Sequence, residues 1–176
     1  SDYSEMLGFL EQSEIEIWVS TPSFADMCLA DRNFCGEKIK ALKLFLFCGE
    51  VLTTATVEKL KERFPEAVII NTYGPTESTV AVTDVTITEK LLQEIIARGK
   101  SLPVGHEKPG TYIEIWDKAG KVLPEGEQGE IVIIGDTVSC GYYMRADLTK
   151  KAFFHCIRDG KVYRGYKTGD AGYLKG

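Results

Sequence analysis

Histidine is scarce in this chain: His106 and His155 are the only two among 176 residues, and neither belongs to a ligand-spaced cluster. A histidine-based metal centre or a serine-histidine-aspartate arrangement is left without its parts. The five cysteines, Cys28, Cys35, Cys48, Cys140 and Cys156, are odd in number and scattered, with no Cys-x-x-Cys pair. That pattern argues against a zinc site or a disulfide framework and for reduced thiols, mostly buried as small apolar groups. No Lys/Arg cluster stands out among the 21 basic and 26 acidic residues, and the net charge is -5. Neither nucleic acid nor an anionic membrane is an expected partner. No apolar run approaches the ~18 residues that a membrane-spanning helix needs. Ser1-Asp2-Tyr3-Ser4-Glu5 has neither the basic nor the apolar region of a secretion signal, so a cytoplasmic protein is expected. Internal repeats and low-complexity tracts are also missing.

What the chain does have is a hydrophobic content of 44%, enough to bury a core in one large domain or two compact lobes. Helix and strand signals alternate at short intervals over the first hundred residues. Asp2, with Glu5 three residues on, can cap a helix striped by Met6, Leu7 and Leu10. A strand over 15–20 follows. Thr21-Pro22 then sets a capping hydroxyl before a proline at the first helical position, with Phe24, Met27 and Cys28 on one helix face. The run Leu44-Phe45-Leu46-Phe47-Cys48, bounded by Gly49, suits a strand covered on both faces. A helix over 54–64 carries Val57, Leu60 and Phe64 until Pro65 stops it. Val68-Ile69-Ile70 completes strand-helix-strand units of the kind that make a parallel sheet. Residues 80–87 read as another strand, and Thr88 caps a helix that Gly99 ends. Past Ser101, Gly and Pro recur, and strands over 112–116 and 130–134 suggest an antiparallel or barrel-like unit. The expected fold is α/β, with a parallel-sheet αβ subdomain over 1–100 and a β-rich, barrel-like subdomain over 101–176.

Asn71-Thr72-Tyr73-Gly74-Pro75-Thr76-Glu77 lies just past the strand at 68–70, where open α/β sheets collect ligands. Gly74 lets the backbone come close to a ligand, Pro75 stiffens the turn, and Thr76 offers a hydroxyl and an N–H to a phosphate oxygen. Glu77 suits a hard cation such as Mg²⁺, Tyr73 can stack on a base and Asn71 can bond to its edge. The same residues also fit a plain proline turn with Thr76 as a helix cap. Thr168-Gly169-Asp170 reads as a second polar turn whose carboxylate suits a ribose, or as a turn and nothing more. Cys48 reads as a core filler rather than a nucleophile, and Glu50 as a solvated turn residue.

Taken together and in order, five segments resemble the adenylate-forming (AMP-binding) superfamily along essentially the whole chain. They are Phe47-Cys48-Gly49-Glu50-Val51-Leu52, then Asn71 to Glu77 running on through Ser78-Thr79-Val80, then Leu102-Pro103-Val104-Gly105, Gly126-Glu127-Gln128-Gly129-Glu130 and Tyr166-Lys167-Thr168-Gly169-Asp170. Trp18-Val19-Ser20-Thr21-Pro22-Ser23-Phe24, Met27-Cys28-Leu29 and Cys48-Gly49-Glu50 resemble its D-alanine:D-alanyl carrier protein ligase branch. The resemblance implies ATP and Mg²⁺ as cofactors, D-alanine as substrate, and the phosphopantetheine thiol of a D-alanyl carrier protein as acceptor, in teichoic acid D-alanylation. It implies that Tyr73 stacks on adenine with Asn71 at its edge, and that the Gly49-Glu50-Val51 backbone covers the opposite face. Thr72 and Gly74 belong to the same nucleotide-binding set. Thr76 would meet the α-phosphate, Glu77 would bind Mg²⁺, and these two would carry the catalytic role. Asp170 would hold the ribose hydroxyls, and Cys48 and Val80 would line the amino-acid site. Two other readings stay open: an adenylation domain for another small amino or carboxylic acid, and a non-catalytic α/β binding module. The superfamily's phosphate loop ending in Pro-Lys-Gly and its lysine-bearing C-terminal lobe do not occur among these residues. By the same resemblance, the chain is an internal fragment with the C-terminal lobe absent, expected to be catalytically silent by itself.

Overall fold

The computed structural model describes residues 3–175. The chain forms two compact units, one made of Ser1–Tyr73 with Thr83–His106 and the other of Gly74–Val82 with Glu107–Gly176. The sequence-expected change at 100/101 therefore stands beside an observed crossing at 106/107, and a short segment ahead of it, 74–82, groups with the second unit.

In the first unit, helix α1 (Tyr3–Gln12) buries Leu7 and Leu10. Asp2, its expected cap, lies outside the described residues. Strand β1 (Ile17–Ser20), helix α2 (Pro22–Leu29), strand β2 (Leu44–Phe47), helix α3 (Thr54–Arg63) and strand β3 (Val68–Tyr73) follow, and the three strands pair in parallel. Strand β4 (Thr83–Thr86) returns antiparallel to β3, helix α4 (Glu89–Ala97) comes next, and the two-residue β5 (His106–Glu107) ends the sheet order β1-β2-β3-β4-β5. Capping follows the sequence at α4, where Thr88 accepts the Leu91 N–H; at α3 Thr53 accepts the Thr56 N–H, a cap not expected from the sequence.

Helix α2 departs from expectation twice. Its buried residues are Pro22, Ala25, Cys28 and Leu29, while Phe24 and Met27 are exposed. Ala25, Cys28 and Leu29 make a second i, i+3, i+4 stripe one residue out of phase, and its smaller side chains let the helix pack close. Phe24 instead stacks on Trp18, centroid to centroid 5.6 Å. The Thr21 side chain, moreover, caps nothing; the Ser23 N–H donates to Glu50 Oε2 at 3.1 Å. Helices α2 and α3 are tied by Thr56 Oγ1 donating to Asp26 Oδ2 at 3.0 Å.

Phe45 and Phe47 are fully buried in an aromatic cluster with Trp18, Phe34 and Phe64, where Phe64 meets both Phe34 and Phe45 edge-on at 5.0 Å. The expectation that β2 is covered on both faces is not met. By register, Ile17-Leu44-Val68 and Val19-Leu46-Ile70 form two apolar rows on the opposite face, and Ile17 and Val19 are each 62% exposed. The thiols also differ from expectation, since only Cys28 is buried and Cys140 is exposed.

The second unit is antiparallel throughout: β6 (Thr111–Trp116), β7 (Gly129–Gly135), helix α5 (Ala146–Ala152), β8 (Phe153–Arg158) and β9 (Lys161–Gly172), in sheet order β6-β7-β9-β8. Its two edge strands, β6 and β8, are bridged by side chains. Trp116 meets Phe154 at 5.1 Å, Glu114 pairs with Arg158, and the Arg158 guanidinium lies 5.6 Å over the Tyr112 ring. Side chains from the two edges thus meet over the face of the sheet. Gly165 permits this approach, because a Cβ there would overlap the Phe154 ring lying across it.

Candidate functional site

Strand β3 runs through Tyr73, so Asn71, Thr72 and Tyr73 are ladder residues and the expected turn begins only at Gly74. Asn71 and Thr72 are buried polar residues in a central strand, a position that requires a partner. Asn71 Nδ2 donates to the Pro103 carbonyl at 2.8 Å, and Thr72 Oγ1 donates to the Phe47 carbonyl at 2.8 Å. Three of the five sequence segments are therefore joined physically, the strand end at 71–72 to Leu102-Pro103 and to the segment that opens at Phe47. Asn71 keeps its Oδ1 as an acceptor. Tyr73 is half-buried.

Cys48 leaves β2 half-buried, its N–H donating to the Ser20 carbonyl at 3.3 Å. Gly49 adopts φ +84, a conformation that favours glycine, and turns the chain outward. Glu50 is engaged with the N-terminus of α2 through Oε2. Val51 is 77% exposed. Cys48, Gly49, Glu50, Val51, Asn71, Thr72 and Tyr73 all belong to the first unit.

Gly74, Thr76, Glu77, Val80 and Asp170 belong to the second unit. A Cβ on Gly74 would fall 2.8 Å from the Val80 carbonyl oxygen and 2.9 Å from the Val82 nitrogen, so glycine is fixed here by the turn's own closeness. A 3-10 turn spans Thr76–Ser78, with the Pro75 carbonyl accepting from the N–H groups of Ser78 and Val80 at 3.0 and 3.1 Å. Thr79 and Val80 then take φ +63 and +68, two β-branched residues in succession in the left-handed region. Such backbone stores strain that the surrounding bonds must hold. Val80 was expected inside a strand; it lies in this turn and is 49% exposed.

Glu77 is the electrostatic centre of the second unit's group. Its Oε1 accepts from the Tyr142 hydroxyl at 2.6 Å, its carbonyl accepts from the Ser139 N–H at 2.8 Å, and Tyr142 and Tyr166 hydroxyls lie 3.2 Å apart. The Tyr142 hydrogen bond holds the Glu77 carboxyl below its ordinary range despite partial burial, so it is ionised at neutral pH. The carboxylate in turn pushes the Tyr142 phenol up, and burial followed by the Tyr142 bond pushes Tyr166 far up, so both stay protonated donors. Tyr142 carries no local sequence signal for this role; it stands in a Gly-Tyr-Tyr stretch 65 residues from Glu77.

Thr168-Gly169-Asp170 is not a turn between elements. It is a bulge in β9, in which Ile131 of β7 alone stands between the pairs Glu130–Ala171 and Val132–Lys167. Thr168 Oγ1 donates to the Ile131 carbonyl at 2.7 Å, the Gly169 N–H donates to Glu130 Oε1 at 2.9 Å, and Gly169 takes φ +77. The bulge lifts Asp170 out of the ladder and leaves it exposed. Among the described residues, no three His, Cys, Asp or Glu side chains come together as a metal cluster, and no helix is long and apolar enough to cross a membrane.

The chain is 50% identical over 97% of its length to the D-alanine--D-alanyl carrier protein ligases of Bacillus anthracis and Bacillus cereus, and spans 32% of theirs. Among solved structures, an NRPS protein containing adenylation and PCP domains is similar with a TM-score of 0.80 and 26% identity, over 95% of this chain and 33% of that one. A four-domain nonribosomal peptide synthetase bound to AMP and glycine gives 0.80 and 28%, over 99% of this chain and 12% of that one. Residues 1–143 match the AMP-binding enzyme family, which joins segments from both units, and the chain belongs to that family.

Proposed function

We propose that this chain carries nucleotide- and substrate-binding residues of an ATP-dependent ligase that activates D-alanine as its adenylate. The aminoacyl group then passes to the phosphopantetheine thiol of a D-alanyl carrier protein, for teichoic acid D-alanylation in the cytoplasm. The observation that supports this most is the 50% identity over 97% of the chain to ligases so named. In the first step a D-alanine carboxylate oxygen attacks the α-phosphorus of ATP and pyrophosphate leaves; in the second, the thiol sulfur attacks the acyl carbon and AMP leaves. Positioning and charge neutralisation supply the rate, since no covalent bond to the enzyme forms.

Within that reaction, Tyr73 serves the base and Asn71 its edge, with one Nδ2 hydrogen given to Pro103 and Oδ1 free to accept from the base. The backbone of Gly49, Glu50 and Val51 serves the other face of the base, with Thr72 and Gly74 shaping the strand end. Thr76 serves the α-phosphate and Asp170 the ribose hydroxyls. Cys48 and Val80 bound the amino acid, where bulk beside the α-carbon selects the D isomer by clash. The ionised, hydroxyl-bonded Glu77 is a hard oxygen donor that fits Mg²⁺, and a single carboxylate suffices because Mg²⁺ commonly takes its remaining ligands from phosphate and water. When bound there, Mg²⁺ would supply charge neutralisation to the phosphates.

The test is ATP–pyrophosphate exchange by the full-length protein carrying this chain. Exchange that depends on D-alanine, is weaker with L-alanine or glycine and disappears in Glu77→Ala is expected. Equal exchange with L-alanine would overturn the substrate, and exchange that survives Glu77→Ala would overturn the role of Glu77. The 176 residues alone, with no lysine-bearing phosphate loop among them, are expected to give no exchange.

A further inference from the structure

Glu77 is held by more than its own turn. Tyr142 spends its only proton on Glu77 Oε1, so in the 3.2 Å contact between the two phenols Tyr166 must be the donor. The order is therefore Tyr166 hydroxyl to Tyr142 hydroxyl to Glu77 Oε1, and each donor polarises the next. The rings are fixed as well: Phe153 meets Tyr142 edge-on at 5.3 Å and Tyr166 at 4.8 Å, and Tyr166 is buried. A second bond, Ser139 N–H to the Glu77 carbonyl, secures the backbone of the same residue from the same side of the fold.

A turn that needs only to be stable does not need two phenols, one of them buried, aimed at one oxygen of its single, half-buried carboxylate. Tyr166 also opens the segment on β9 whose bulge presents Asp170 four residues later. One strand thereby anchors the two acidic candidate site residues of the second unit, Glu77 and Asp170. We infer that Tyr142 and Tyr166 are positioning residues, a two-hydroxyl chain that locks Oε1 of Glu77 and turns Oε2 toward the cation that accompanies the nucleotide. This rests on the proposed function only in giving Glu77 a cation to hold.

The test titrates Mn²⁺, as a spectroscopic substitute for Mg²⁺, into the full-length protein with α,β-methylene-ATP, reading unbound Mn²⁺ by electron paramagnetic resonance. Tyr142→Phe keeps the ring against Phe153 and removes only the hydroxyl. Loss of a group that orients a metal ligand weakens metal binding about 10-fold or more, and that is the expected result, with metal-free AMP affinity unchanged. Tyr166→Phe is expected to weaken Mn²⁺ less, and the double variant to be no worse than Tyr142→Phe alone. Tyr166→Phe also carries the test if Tyr142→Phe melts below the assay temperature. If Glu77→Gln weakens Mn²⁺ binding and neither tyrosine variant does, the positioning role is overturned and the proposed function stands. If Glu77→Gln itself leaves Mn²⁺ binding unchanged, the cation role of Glu77 and this inference fail together.

Discussion

Glu50 Oε2 accepts the Ser23 N–H across 27 residues of sequence, doing for helix α2 what the adjacent Thr21 hydroxyl does not. The bond fastens the loop after β2 to the start of the helix before it. Glu50→Ala should lower stability by about 1 kcal/mol, the usual loss for a missing N-cap, seen as a lower urea midpoint at constant slope. Thr21→Ala should change little. Equal losses from both would show that the carboxylate is not the cap.

Asn71 makes a comparable tie in a drier place. Removing its amide leaves the Pro103 carbonyl without its donor in a buried setting, which costs about 2 kcal/mol. Asn71→Ala should lose that much by chemical denaturation. Asn71→Asp at pH 7 should lose at least as much, because a carboxylate has no hydrogen to give.

Gly105 and Gly110 separate two demands on glycine. Both have positive φ, +89 and +83, yet a Cβ on Gly105 would overlap the Asp84 carbonyl while one on Gly110 meets nothing within 4 Å. Gly110→Ala should lose only the conformational part, about 1 kcal/mol, and Gly105→Ala about 3 kcal/mol or its fold. Thermal melts with indistinguishable shifts would contradict the close approach.

Val80 should respond in the opposite direction. A left-handed conformation costs an L residue about 1–2 kcal/mol, more than the about 0.5–1 kcal/mol of chain entropy that glycine adds. Val80 is 49% exposed, so the burial it gives up offsets part of that gain, and Val80→Gly should raise stability by no more than about 0.5 kcal/mol. If Val80 bounds the amino acid, the same variant should blunt discrimination between D- and L-alanine in the exchange assay.

Periodicity made the parallel strands, α3 and α4 legible, because their apolar spacing and the cap of α4 are local. What it missed lay in partners far along the chain. Asn71 and Thr72 looked like turn residues because polar side chains seldom sit in central strands; carbonyls at Pro103 and Phe47 satisfy them there. Thr168-Gly169-Asp170 has the composition of a turn, and only its cross-strand register shows a bulge. In α2 two stripes one residue apart competed, and side-chain size rather than hydrophobicity chose between them. The site residues near Glu77 were readable as a motif, but the tyrosine that grips it was not, since nothing local marks a phenol as the partner of a carboxylate 65 residues away.

The excursion of residues 74–82 makes the chain pass between its two units three times, at 73/74, 82/83 and 106/107. No single cut, therefore, can yield two intact pieces. A protein trimmed at residue 100 would keep the strained turn and Glu77 but discard Ser139, Tyr142 and Tyr166, while the complementary piece would keep the tyrosines with nothing to grip. Evolutionary exchange by recombination faces the same geometry: a crossover anywhere between 82 and 139 inherits the carboxylate from one parent and its clamp from the other.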